Sequence, residues 1–205
     1  MNRREFTSTL ALSVLPIFGG SVAFAQDAEQ PADMAIPEMV LGAEDAPIEM
    51  IEYASFTCPH CANFHSSTFK KIKENYIDTG KVRFVYREVY FDRYGLWASM
   101  VARCGGQERF FGLVDALYAD QKNWASGEPA EIADKLRKIG LVSGLDQAEL
   151  EACLADGDQA KALVTWFQEN STRDEVTGTP SFIINGEKFG NASYDDFAKK
   201  LDSLL

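Results

Sequence analysis

Apolar residues recur along this chain with two different periods. In Ile48-Glu49-Met50-Ile51-Glu52-Tyr53 apolar and acidic positions alternate, the signature of a strand. Ser55 to Thr57 reads as a turn. The period then changes: Phe64, Phe69, Ile72, Tyr76 and Ile77 lie near 3.6-residue spacing and predict a helix that starts at residue 58 and is stopped by Asp78-Thr79-Gly80. Alternation returns from Val82 to Val89, with Val82, Phe84 and Tyr86 set against Arg83, Val85 and Arg87. Residues 92–170 carry only helical spacing. Helices are predicted over Leu96–Arg103, Arg109–Gln121, Pro129–Ile139, Asp146–Ala155 and Gln159–Glu169, parted by Gly, Ser or Asp breaks. Asp146 with Glu149 three residues on is a capping arrangement. Ser181-Phe182-Ile183-Ile184 is a short apolar strand, and Asn185-Gly186 is a hairpin turn that sends Lys188-Phe189 back along it. Ser193 caps a terminal amphipathic helix running to Leu205. Residues 26–46, polar and rich in Pro, Ala, Asp and Glu, read as a flexible lead-in.

The predicted order is strand–helix–strand, a block of helices, then hairpin–helix. The β-α-β half (residues 47–91) and the β-β-α half (residues 171–205) hold the pieces of a thioredoxin-like sheet. The class is therefore α/β, a thioredoxin-like fold with an inserted all-helical domain over residues 92–170. The chain's 205 residues and 46% hydrophobic content suit one domain with a sizeable core and a large insertion.

The amino terminus alters the picture of where the protein works. Arg3 and Arg4 give a basic start, no charge follows from Phe6 to Gln26, and Leu10 to Phe18 is apolar. Ala23-Phe24-Ala25 is a small-residue cleavage site, so residues 1–25 read as a signal peptide with Gln26 as the mature start. The apolar run is short of the roughly 20 residues that a membrane span needs. Arg3-Arg4-Glu5-Phe6 also matches part of a twin-arginine signal; twin-arginine and general secretion both stay open. No cysteine lies at the cleavage site to carry a lipid anchor. Removing this segment takes away two arginines and one glutamate and moves the formal charge from −11 to −12. Such acidity disfavours nucleic acid and anionic membrane surfaces as partners.

Export puts the four cysteines in an oxidising compartment. Cys58 and Cys61 are a close pair; Cys104 and Cys153 stand alone. A dithiol separated by two residues can close a small disulfide, and either sulfur can attack the other's mixed disulfide. With Cys58 at a helix N-terminus, backbone N–H groups and the positive end of the helix dipole favour its thiolate. Cys61, one turn in, is more enclosed. Pro59 suits the first turn, where its missing N–H costs nothing. His60 can add a cationic or hydrogen-bonding partner. Stabilising the Cys58 thiolate stabilises the dithiol form and makes the disulfide a stronger oxidant. A plain disulfide staple is one alternative. Metal ligation by Cys58, Cys61 and His65 is another, although no second Cys or His cluster completes a closed site; no metal or other cofactor is expected, and His65 is read as a helix-surface or packing residue.

Phe56-Thr57-Cys58-Pro59-His60-Cys61, preceded by the Ile48–Tyr53 strand, resembles the active site of the DsbA family of periplasmic dithiol oxidases. Thr179-Pro180, just before a strand and hairpin, resembles the cis-proline loop of thioredoxin-fold proteins. The resemblance covers residues 40–205. It implies a periplasmic oxidase in which Cys58 attacks and Cys61 resolves, with Pro180 cis beside them and Thr179 offering backbone hydrogen bonds to an extended substrate segment. Glu52 resembles the family's buried acid beneath the dithiol; a solvent-facing strand glutamate like Glu49 is the other reading. Thr179 departs from the valine usual in the oxidase members and resembles the isomerase and reductase branches. Expected partners are reduced or unfolded exported proteins and a membrane quinone-linked reoxidising protein, with the chain itself a monomer. A disulfide isomerase or reductase, and a peptide-binding chaperone with a non-catalytic dithiol, are the alternatives.

Cys104 and Cys153 both fall in the helical block and read as a structural disulfide, with a second redox relay or two free thiols as the other options. Some members of the resembled family carry such a second bridge. Trp97, Trp124, Trp166 and Phe110-Phe111 are expected in the core or lining a groove.

Overall fold

The computed structural model describes residues 35–205. The expected signal segment with Arg3 and Arg4, the cleavage site at Ala25/Gln26 and the start of the lead-in lie outside those residues.

The sheet has five strands: β1 (Met39–Leu41), β2 (Ile48–Ala54), β3 (Val82–Glu88), β4 (Ser181–Ile184) and β5 (Glu187–Phe189). Their order across the sheet is β1-β3-β2-β4-β5. β2 and β3 pair in parallel, with Glu52 opposite Tyr86, and the other pairings are antiparallel. The edge strand β1 corrects the sequence reading. It lies in the segment taken as a flexible lead-in, and Met39-Val40-Leu41 pairs with Tyr86, Val85 and Phe84. Three residues flanked by Pro and Gly are too few to show a period, so only the partner edge reveals the strand.

The helix beginning at the dithiol is likewise broken where one helix was expected. α1 (Pro59–Ser66) gives way at Ser67, whose φ of −134° is not helical, to α2 (Thr68–Ile72) and a π-helical turn at Lys73–Ile77. Between β3 and β4 the chain is helical as predicted, with six helices where five were expected: α3 (Arg93–Cys104), α4 (Gly106–Ala119), α5 (Gln121–Trp124), a short helix where the predicted Arg109–Gln121 helix ended, α6 (Pro129–Val142), α7 (Gln147–Ala155) and α8 (Gly157–Arg173). Asp146 caps α7 through Ala148 N and Glu149 N. The terminal helix α9 (Tyr194–Asp202) is capped by Ser193 and ends three residues short of Leu205.

The face of the sheet bearing Ile48, Met50, Phe84, Tyr86, Phe182 and Ile184 merges with α1, α9 and the buried sides of α3, α4, α6 and α7 in one continuous core. Phe110 and Trp124 are fully enclosed there. Each such side chain contributes roughly 1.5–3 kcal/mol on burial. The opposite face carries a smaller cluster of Ile51, Tyr53, Val85 and Val89, against which Phe167 of α8 packs. No helix of the described residues is long and apolar enough to cross a membrane.

Candidate active site

Cys58 is the N-cap of α1, in extended conformation (φ −84°, ψ 118°), and Pro59 opens the helix. Three elements hold the loop before it. Cys58 N donates to Ser55 O at 3.0 Å. Thr57 Oγ1 donates to Asp92 Oδ2 at 2.8 Å, while Asp92 Oδ1 caps α3 by accepting from Tyr94 N and Gly95 N at 2.8 and 2.9 Å. Gln121 Nε2, buried in α5, donates to Phe56 O at 2.8 Å and Cys58 O at 2.9 Å. The first turn of α1 is thereby clamped from β2's end, from α3 and from α5.

The two sulfurs differ sharply. Cys58 keeps 8% of its surface and Cys61 none, so only Cys58 can be reached from outside. The Cys61 thiol, as donor to the Cys58 sulfur, is the chief cause that lowers the Cys58 thiol from near 9 to about 5; the Thr179 hydroxyl and the backbone N–H groups of Cys61 and His60 act the same way, against the cost of burial. Cys61 is pushed far up, first by burial, then by its bond to Cys58 and the nearby Glu52 carboxylate. His60 differs from expectation: its ring is exposed, and it is the backbone N–H that serves Cys58. Pro59 is exposed beside it.

The Thr179–Pro180 bond is cis. It brings Thr179 O to 3.5 Å from Cys58 Sγ. The Thr179 hydroxyl is buried with no other partner, which leaves it available to a Cys58 thiolate.

Glu52 has no solvent exposure; it lies on the core face of β2 with Ile48 and Met50, not in the solvent-facing position open to a strand glutamate. Its partner is a residue whose role the sequence did not indicate. His65, one turn beyond Cys61 on α1, takes the packing position of its two expected environments and not the helix-surface one: it is 2% exposed, and its Nε2 lies 2.9 Å from Glu52 Oε2. The ring stacks on Tyr118 at 4.5 Å and lies 4.5 Å from Phe69. Tyr118 and Tyr86 share a 2.7 Å bond between hydroxyls, and the Tyr118 hydroxyl also donates to Ser55 O. The i, i+4 spacing of Cys61 and His65 is a signal for a shared face. Gln121 and Asp92 gave none, since each meets the loop only through folding of the helical segment.

Cys104 and Cys153 form a disulfide, with Cα atoms 5.9 Å apart, tying the end of α3 to α7. Beside it the Arg103 guanidinium pairs with buried Glu88 at 2.6 and 2.7 Å. Among the described residues no group of three His, Cys, Asp or Glu is placed to hold a metal ion.

A dithiol at a helix N-terminus, one sulfur reachable and one enclosed, facing a cis-proline across a β-α-β/β-β-α sheet, defines the thioredoxin-fold redox class. The chain belongs to the thioredoxin family, whose profile matches residues 34–203, and within it to the DsbA-like proteins. The crystal structure of Wolbachia pipientis alpha-DsbA1 superposes with a TM-score of 0.75 at 32% identity, over 83% of this chain and 92% of that one. Bacillus subtilis BdbD shares the fold at a TM-score of 0.72 and 21% identity, over 82% of this chain and 92% of that one. A Rickettsia bellii protein whose name places it among the protein-disulfide oxidoreductases is 34% identical over 169 residues; the match covers 82% of this chain but 64% of that relative's length.

Proposed function

We propose that this protein is a periplasmic thiol–disulfide oxidase that donates the Cys58–Cys61 disulfide to reduced exported proteins. The observation that carries the reading is the contrast between a Cys58 thiol lowered to about 5 and an enclosed Cys61 thiol pushed far up. A client thiolate attacks Cys58 Sγ of the disulfide. The S–S bond breaks, and its electron pair goes to Cys61 Sγ, which takes a proton. The client's second thiolate then attacks the client sulfur of the mixed disulfide, and Cys58 leaves as a thiolate. The client loses two electrons and two protons; the dithiol keeps both electrons and one proton, and the other proton goes to solvent. The stable Cys58 thiolate is the better leaving group, which drives the transfer toward the client.

The Thr179 backbone beside Cys58 supports binding of an extended client by strand addition, which reads main chain more than side chain and suits unfolded substrates. In this reading Glu52, whose carboxylate is near enough to raise the Cys61 thiol, takes up and returns the Cys61 proton. The chain acts as a monomer, and a membrane quinone-linked partner reoxidises it. The reduction potential of the pair tests the direction: it is expected nearer about −120 mV than about −270 mV, the oxidising and reducing ends for thioredoxin-fold proteins. In an oxidase-deficient strain the protein restores disulfide formation and Cys58→Ala does not. A reducing potential, with activity on scrambled disulfides, would instead assign the isomerase or reductase role that Thr179 resembles.

A further inference from the structure

The buried pair His65–Glu52 holds two unused polar atoms. Glu52 Oε1 and His65 Nδ1 are both enclosed without a hydrogen-bond partner, while Nε2 and Oε2 meet at 2.9 Å. A ring proton at Nδ1 would be stranded, so the favoured state is a neutral imidazole with its proton at Nε2, donating to the carboxylate. A carboxylate without water survives in ionised form only where donors hold it. In this site His65 is the one side chain that donates to Glu52 among the described residues.

We propose that His65 is a positioning residue for the dithiol reaction: its Nε2–H keeps the Glu52 carboxylate ionised and turned so that Oε1 is free to accept the Cys61 proton. This rests on the oxidoreductase reading above and adds to it the residue that keeps the acid competent. The step served is resolution of a mixed disulfide at Cys58. Cys61 Sγ gives its proton to Glu52 Oε1, and the sulfur's electron pair attacks Cys58 Sγ. The bond to the bound thiol breaks; that thiol departs as a thiolate and is protonated by solvent.

Other groups around the pair do not substitute for His65. Cys61 lies on the same helix, Tyr86 comes from β3 and Tyr118 from α4, and Phe64 and Phe69 carry no charge. The tyrosine hydroxyls bond one another and are pushed well up by burial, so they stay neutral across the working range. His60, the other histidine of the chain, is exposed and does not reach the pair.

The test is single-turnover release of glutathione from a Cys58–glutathione mixed disulfide, followed against pH. In His65→Phe the carboxylate loses its donor and holds its own proton more tightly. The release profile is expected to move to higher pH by about one unit or more, while the Cys58 thiolate titration stays in place. His65→Gln, which keeps an N–H donor, is expected to recover much of the shift. In a Glu52→Gln background His65→Phe should add nothing further. Profiles of wild type and His65→Phe that superimpose, even with lowered stability, overturn the proposal. Should His65→Phe fail to fold, nitrogen NMR of the wild-type rings decides. Expected is a neutral His65 with the proton at Nε2 across the pH range of release; a cationic ring or a proton at Nδ1 overturns the proposal. Wild-type protein that releases no glutathione from Cys58 would refute the oxidoreductase reading itself, a different outcome from unchanged profiles.

Discussion

Cys58 shows how far a single side chain depends on its neighbours. An ordinary thiol titrates near 9, and here the Cys61 thiol, the Thr179 hydroxyl and two backbone N–H groups bring it to about 5. The lowered value means that the folded, reduced protein gains stability from this thiolate. That gain is fully present above about pH 9, declines as pH falls, and is gone below about pH 5. Thiolate absorbance in the reduced protein is therefore expected to rise with a midpoint near 5 and to vanish in Cys58→Ser. Over the same range, denaturation should show the reduced form gaining on the disulfide form as pH rises. A midpoint near 9, or a stability difference independent of pH, would contradict the arrangement of donors described for Cys58.

At the scale of elements, the site is a joint between α1 and the helices packed over it. α3 is capped by Asp92, whose two carboxylate oxygens do different work: Oδ1 accepts from the first turn of the helix and Oδ2 binds Thr57, the residue before Cys58. Asp92→Ala should cost about 1–2 kcal/mol through the lost cap, measured by denaturation. Because the Thr57 bond goes too, the same variant should also alter the Cys58 titration, whereas a cap on α7, Asp146→Ala, should cost similar stability and leave the titration unchanged. Further along α3, Arg103 and Glu88 form an enclosed ion pair whose value lies in both partners being present, since either charge alone would be stranded in the core.

For the whole molecule, the main connection made by covalent chemistry is Cys104–Cys153, closing a loop with a sequence separation of 49. Loop-closure entropy for a loop of about 50 residues amounts to about 4 kcal/mol. A Cys104→Ala/Cys153→Ala variant should lose stability on that order in urea denaturation, and one with unchanged stability would mean that the bridge contributes little in the folded chain. The helical segment and the sheet share one core, so this loss should appear as a single transition rather than as separate melting of the helices.

Much of this was legible in the residues. Period-two and period-3.6 spacing located β2, β3, the helical segment and the closing hairpin, because each element must bury one face. The Cys58-Pro59-His60-Cys61 spacing marked the dithiol, since two thiols that near one another along a helix start can exchange disulfides. Helix boundaries, the break at Ser67 and the strand Met39–Leu41 were not legible, because short elements are settled by the edges and surfaces they meet. The alternation in Ile48–Tyr53 is compatible with either environment for Glu52; pairing with β3 and the packing of α1 put it inside. Its contact with His65, the Gln121 clamp and the Asp92–Thr57 bond join residues 13 to 65 positions apart. Local sequence determined which chemistry the chain carries. Only tertiary contact decided how each group in it is charged, because proton affinity is set by burial and by partners brought from distant parts of the chain.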